Sequence, residues 1–283
     1  MTENRSGLRP GMFDFPAIER IVYGQPAAQA VRAEGERLRA HRIFLIVSGT
    51  MNRTTDEVAK VRDALGSRYA GLYDRIAPHI PRESVLDAAR EARSVGADLI
   101  VTFGGGAVTG AGKMVQLCLR HNISDADGFD AFRVVVNSDG SHTVPEYDGP
   151  TVRQIAVPTT LSAGEFNAYG GYTDSRNKVK HSFRHPLLVP RVTIFDPAPT
   201  VHTPLSVWLS TGISAIAHAT EGICSQFSNP ASDAGFLHAL RLLCQALPRI
   251  KRHPDELEAR LDCQIASWLS VAGRQGGVQM GAS

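Results

Sequence analysis

The sequence predicts an α/β domain over residues 1–200 followed by an all-helical domain over 201–283. Three observations predict it. Apolar-rich runs of strand length, such as Ile43–Val47 and Asp98–Phe103, read as parallel strands buried on both faces. Segments of helical period alternate with those runs up to Phe195. After Thr203 the strand signal ends, and three long segments carry helical period alone. A chain of 283 residues is long enough for two domains.

The elements follow in order. Residues 1–12 read as a loose arm. Ile18–Tyr23 is a short strand that stops at Gly24, and Pro26 opens an amphipathic helix to Ala40. Ile43–Val47 is a buried strand. Thr55–Leu65 and Ser84–Val95 repeat the helical spacing. Asp98–Phe103 is a second buried strand that runs into Gly104-Gly105-Gly106, with a helix through Arg120 behind it. Phe132–Asn137, Asp139-Gly140 and His142–Pro145 read as a hairpin with a tight turn. Gln154–Val157 and Arg191–Phe195 are the last strands. Asp196-Pro197, Thr200 and Pro204 read as a loop that caps the helix after it. Pro204–Phe227, Pro230–Leu247 and Asp255–Ala272 are the helices of the second domain.

Composition narrows the class. Hydrophobic residues are 43% and charged residues 20%, which supports a core and excludes wholesale disorder. Net charge is +2, which gives no electrostatic case for nucleic acid or acidic membranes. The N-terminus has no apolar signal segment, and no apolar run spans a bilayer. Cys118, Cys224, Cys244 and Cys263 form no CxxC pair and read as small buried hydrophobes in a reducing compartment. A soluble, cytoplasmic protein is expected.

Three constellations could carry chemistry. In LIVTFGGGAVTGAGK (99–113) a buried strand ends in three glycines and enters a helix. Glycines let a phosphate approach the backbone, and a helix N-terminus offers free N–H groups and partial positive charge. Thr109 stands where GxGxxG needs glycine. Gly112-Lys113 lacks a glycine at 107 and is followed by Met114, so the segment is not a P-loop. The other reading is a turn for close strand–helix packing. In AVPTTLSAGEF (156–166) a strand releases Thr159, Thr160, Ser162 and Ala163, whose hydroxyls could bond a ribose, phosphate or carboxamide, or could cap a turn. In STGISAIAHATEG (210–222) His218 follows Ser214 by one helical turn on the same face, as ligand, catalyst or core histidine. TDSRNKVK (173–180) is a short polar stretch with Lys178 and Lys180, able to meet a phosphate or simply to face solvent.

These segments, with VTIFDPAPTVHTP (192–204), LSTGISAIAHATEG (209–222) and SNPASD (228–233), resemble the iron-containing (group III) alcohol dehydrogenases, and among them the maleylacetate reductases. The resemblance runs from Ile21 to Ser283. It implies the dehydroquinate synthase-like superfamily fold, a dinucleotide-binding α/β domain before a helical one, with the active site in the cleft between. It implies pyrophosphate on Gly104, Gly105, Gly106 and Ala107, cofactor contacts from Thr159, Thr160 and Ser162, and Lys178 beside the cofactor. It also implies a small-molecule substrate and a homodimer. Departures bear on function. Ala107 stands for the family's serine, Gly110 for its aspartate, and Ser214 for a metal-ligating aspartate. The chain reaches Ser283 where a histidine-bearing segment would follow, so a C-terminally truncated or diverged member with an incomplete helical part is expected.

The resulting expectation is an NAD(P)H-dependent oxidoreductase acting on a small carbonyl or alcohol, with His218 polarising the carbonyl and no metal in this chain. The alternative is a nucleotide-binding remnant without catalysis. A lyase like dehydroquinate synthase ranks last, because it needs a metal site. After Ile43–Val47 come Ser48, Gly49, Thr50, Met51, Asn52 and Arg53, with no acid to repel a 2′-phosphate, so NADPH is expected to bind at least as well as NADH.

Overall fold

A computed structural model describes residues 12–278. The arm expected over 1–12 falls, except for Met12, outside them. The frame is a sheet of six parallel strands in the order β1-β10-β7-β4-β2-β3. They are β1 (Arg20–Tyr23), β2 (Ile43–Val47), β3 (Tyr69–Tyr73), β4 (Leu99–Gly104), β7 (Arg153–Pro158) and β10 (Val192–Phe195). Residues of β2 and β4 are buried on both faces, as their apolar-rich runs require, with the one polar side chain of β4, Thr102, accepting from Gln154 Nε2 at 2.7 Å.

Helices cover each face. On one side α1 (Ala27–Arg37) and α3 (Glu57–Leu65) pack Ala30, Val31, Val58 and Val61 over Leu45, Val101, Phe103 and Ile155. On the other, α4 (Arg82–Ser94) and α5 (Gly106–His121) pack Val85, Ala88, Met114 and Val115 over Phe44, Ile46 and Ile100. A short α2 (Gly49–Thr54) follows β2, capped by the Ser48 hydroxyl. Two antiparallel ribbons lie outside the main sheet. One is the expected hairpin, β5 (Val135–Val136) with β6 (His142–Thr143). The other, β8 (Tyr169–Thr173) with β9 (Lys180–Arg184), was not expected.

Beyond β10 the chain is helical: α6 (Leu205–Cys224), α7 (Pro230–Arg252) and α8 (Leu257–Ala272). They enclose their own core of Trp208, Phe236, Leu243, Ile250 and Cys263. Phe236 sets their spacing, because a Cβ on Gly222 or Gly273 would lie only 2.4 or 2.1 Å from its ring. A second cluster of Phe166, Phe195, Ile265, Trp268 and Val271 joins α8 to the sheet.

Three expectations need correction. Cys118 and Cys263 are buried, but Cys224 and Cys244 are exposed. Asp196 does more than cap locally: one carboxylate oxygen accepts from Ala198 N at 2.9 Å, and the other caps α1, accepting from Ala27 N at 2.7 Å across 169 residues of chain. Charge at that helix N-terminus is favourable, and no local side chain caps it. The helix expected to stop at Leu247 runs on through Pro248 to Arg252.

Candidate functional site

The strand order locates the site. From β2 the chain moves outward to β3, then returns across β2 to β4. Loops leaving the carboxyl ends of β2 and β4 therefore diverge, and ligands of open α/β sheets bind at such a switch point. Ser48 leaves β2 there, and Gly104-Gly105-Gly106 leave β4.

The glycine turn is bare on one side and crowded on the other. Gly105 is the N-cap of α5, and no side chain caps the helix's first turn. The loop after β7 lies against it, with Thr159 N donating to Gly104 O at 3.0 Å. A Cβ on Gly105 would meet Thr160 Cγ2 at 3.1 Å, and one on Gly106 would meet Ser162 Oγ at 2.8 Å. The glycines are thus required for the close approach of the two loops.

The loop itself is held from several directions. Thr203 Oγ1 donates to Thr159 O at 2.7 Å, and Leu161 N donates to the Thr211 hydroxyl of α6 at 3.2 Å. Gln264 of α8 donates to Pro158 O and Asp196 O. Ala163 has φ 54°, left-handed for a residue with a Cβ. Within this bonded frame the hydroxyls of Thr160 and Ser162 are buried with no hydrogen-bond partner. Buried hydroxyls are ordinarily paired, and leaving one unpaired costs about 1–3 kcal/mol. Two such groups facing a glycine turn fit the polar oxygens of a dinucleotide.

The structure therefore brings together Gly104, Gly105, Gly106, Ala107, Thr159, Thr160 and Ser162. The other two candidates stand on separate elements. Lys178 is exposed at the turn between β8 and β9, with φ 59°. His218 is buried on α6, 9% exposed. It shares a helical stripe with Thr211, seven residues earlier and about 10 Å along the axis. Ser214 lies between them but is exposed, and its hydroxyl donates back to Ser210 O at 3.2 Å.

Sequence reasoning missed two groups. Asp74, just past β3, accepts from Asn52 Nδ2 at 2.9 Å, so an acid does reach the end of β2. It comes from the neighbouring strand, which a reading along β2 alone could not find. The second is the pair Lys113 and Glu165, 1% and 0% exposed. Burial pulls the Lys113 ammonium down and pushes the Glu165 carboxyl up, and each charge partly offsets the other's shift.

A family departure also acquires a cause. A Cβ on Gly110 would lie 2.6 Å from Ile80 Cδ1, so Ile80 fills the place a side chain at 110 would take. Ile80 and His79 both have positive φ, 53° and 64°, which is costly for a β-branched residue. Among the described residues no three His, Cys, Asp or Glu side chains converge as metal ligands. One imidazole with a hydroxyl bonded back to its own helix does not fit an iron or zinc ion.

Comparison with known proteins gives the following. The profile described as iron-containing alcohol dehydrogenase matches residues 18–197. That of the Fe-containing alcohol dehydrogenase family, C-terminal, matches 208–283. Maleylacetate reductase of Burkholderia cepacia is 30% identical over 264 residues, covering 93% of this chain and 64% of the relative. The crystal structure of maleylacetate reductase from Agrobacterium tumefaciens superposes with a TM-score of 0.77 at 27% identity, over 97% of this chain and 67% of that one. The corresponding enzyme from a Rhizobium species gives 0.77 at 28% identity with the same coverage. The chain spans a little under two thirds of the length of the curated relatives it matches.

Proposed function

Because the chain belongs to the iron-containing alcohol dehydrogenase family, we propose that it is an NAD(P)H-dependent oxidoreductase of the maleylacetate reductase-like branch, acting on a small carbonyl or alcohol substrate. One observation carries the reading: two buried, unpartnered hydroxyls, Thr160 and Ser162, against a glycine turn at the switch point of the sheet.

In this reading the amides of Gly104, Gly105, Gly106 and Ala107 and the positive end of α5 hold the pyrophosphate. Thr160 and Ser162 donate to ribose or phosphate oxygens, and Thr159 braces their loop through Gly104 O and Thr203. Lys178 supplies a cation from the β8–β9 turn. A bound reduced nicotinamide supplies a hydride. His218 hydrogen-bonds the substrate oxygen, holds the carbonyl polarised, and gives up a proton to the alkoxide oxygen. No step passes through a metal, because the donor set at 214 and 218 does not fit one. The partners are a small molecule and a second copy of the chain in a homodimer.

A second reading, a nucleotide-binding remnant, is favoured by two specific features. Ile80 occupies the space of the family aspartate at Gly110, and Ser214 is turned onto its own helix. A turnover assay separates the two. Consumption of reduced nicotinamide with maleylacetate or small aldehydes, lost in His218→Asn with nucleotide affinity kept, supports the enzyme. Nucleotide binding without turnover supports the remnant.

A further inference from the structure

The cation closest to the glycine turn in sequence has no part in that reading. Lys113 sits two turns into α5, seven residues after Gly106. Its Nζ donates to Gly164 O at 2.6 Å, Asn167 O at 2.7 Å and Tyr169 O at 3.0 Å, with Asn167 Oδ1 at 3.2 Å. An ammonium has three N–H donors, and three carbonyls with a fourth oxygen consume them. That geometry leaves no donor for a phosphate. The lysine of a P-loop reaches the ligand. This one reaches backward into protein.

What it reaches is the continuation of the hydroxyl loop. Residues 164–169 follow directly on Thr159–Ala163, and the turn between them holds the strained Ala163. Asn167 ties the same segment a second time, its Oδ1 accepting from Tyr169 N at 3.0 Å. Gly170, just beyond, approaches so closely that a Cβ there would stand 3.4 Å from Lys113 Cβ. Glu165 is buried inside this segment, and its charge only partly offsets the fall that burial imposes on the Lys113 ammonium. One rigid helix therefore carries both the glycine-turn amides at its start and the anchor of the facing loop.

We propose that Lys113 is a positioning residue: by gathering the carbonyls of Gly164, Asn167 and Tyr169 it sets Thr160 and Ser162 against Gly105 and Gly106, and so sets the affinity for the dinucleotide. This rests on the nucleotide reading given above. It assigns Lys113 no contact with ligand.

Two measurements on Lys113→Met test it. Amide hydrogen exchange needs no ligand. Exchange should quicken in peptides covering 159–169 and stay unchanged across α1 to α3; unchanged exchange in 159–169 would overturn the proposal. NADH titration then tests the consequence. Lys113→Met should weaken binding about tenfold, or about 1.4 kcal/mol. Thr160→Ala with Ser162→Ala should weaken it similarly. The triple variant should be within about twofold of the weaker parent, because groups acting through one another are not additive. Losses that multiply would mean a general structural role and would overturn the inference. If Lys113→Met does not fold, Asn167→Ala removes one oxygen from the same cluster, and both measurements apply with a loss of about threefold. A wild-type chain that binds neither NADH nor NADPH would overturn the nucleotide reading, while the exchange result would still decide whether Lys113 positions the loop.

Discussion

The two halves of the molecule treat buried polar groups differently. In the helical half, polar side chains at the joint bond mostly to backbone carbonyls: Arg260 donates to Thr200 O and Pro254 O and lies over the Trp208 ring, and Gln264 donates to two carbonyls while its own Oε1 is left without a partner. In the α/β half, a fully braced loop presents two hydroxyls with nothing to bond. Both halves have closely packed cores, so loose packing does not explain the difference. The helices supply stability and a wall. The carboxyl edge of the sheet keeps unsatisfied groups where a ligand's oxygens would satisfy them.

If the halves divide the work in this way, damage to one should leave the other's property intact. The largest effect is expected in the helical core. Phe236→Ala empties the space between Gly222 and Gly273 and should cost about 3–5 kcal/mol of stability. Below its lowered melting point the variant should bind NADH as wild type does; a parallel fall in affinity would show that the halves are not separable. A smaller effect sharpens the α/β side. The NADH-to-NADPH affinity ratio should stay below about tenfold, or about 1.4 kcal/mol. Asp74→Asn should move it toward NADPH by removing the acid bonded to Asn52 at the end of β2, and competition titration measures both. The smallest effect lies outside either site. Burial, Arg153 and His121 hold His185 below the usual histidine range, and its Nδ1 accepts from Leu187 N at 3.0 Å. The unfolded chain therefore takes up more protons, and this contribution to stability is present above the unfolded pKa and lost as pH falls through it. Thermal melts from pH 7 to pH 5 should show a smaller loss of stability in His185→Asn than in wild type, because the variant lacks this contribution.

How much of this was legible in the sequence differs along the same lines. Strands β2 and β4 were read with bounds that hold to within a residue, because burial on both faces leaves an apolar-rich run. β3 and β8 were missed for one physical reason. Their glycines, Gly71 over the Phe44 ring and Gly170 against Met114, permit close approach, whereas in a sequence they look like breaks. The glycine turn and the hydroxyl segment were each visible as motifs. That Thr160 and Ser162 face Gly105 and Gly106 was not, since about 50 residues separate the segments. Lys113 was visible only as a failed P-loop lysine. Its acceptors are backbone carbonyls, which carry no signal of residue type. Asp196 looked like a local cap, and only the sheet brings it beside Ala27.

The central claim is that the glycine turn and its facing hydroxyls form a dinucleotide site. Titration of the wild-type chain and of Gly105→Val with NADH, followed by nicotinamide fluorescence, tests it most directly. The valine would place its branches against Thr160, where even a bare Cβ stands 3.1 Å from Cγ2. The account predicts saturable binding to wild type and a loss of at least about a hundredfold, or about 2.7 kcal/mol, in a variant that still melts cooperatively. Equal affinity in the two proteins would contradict it.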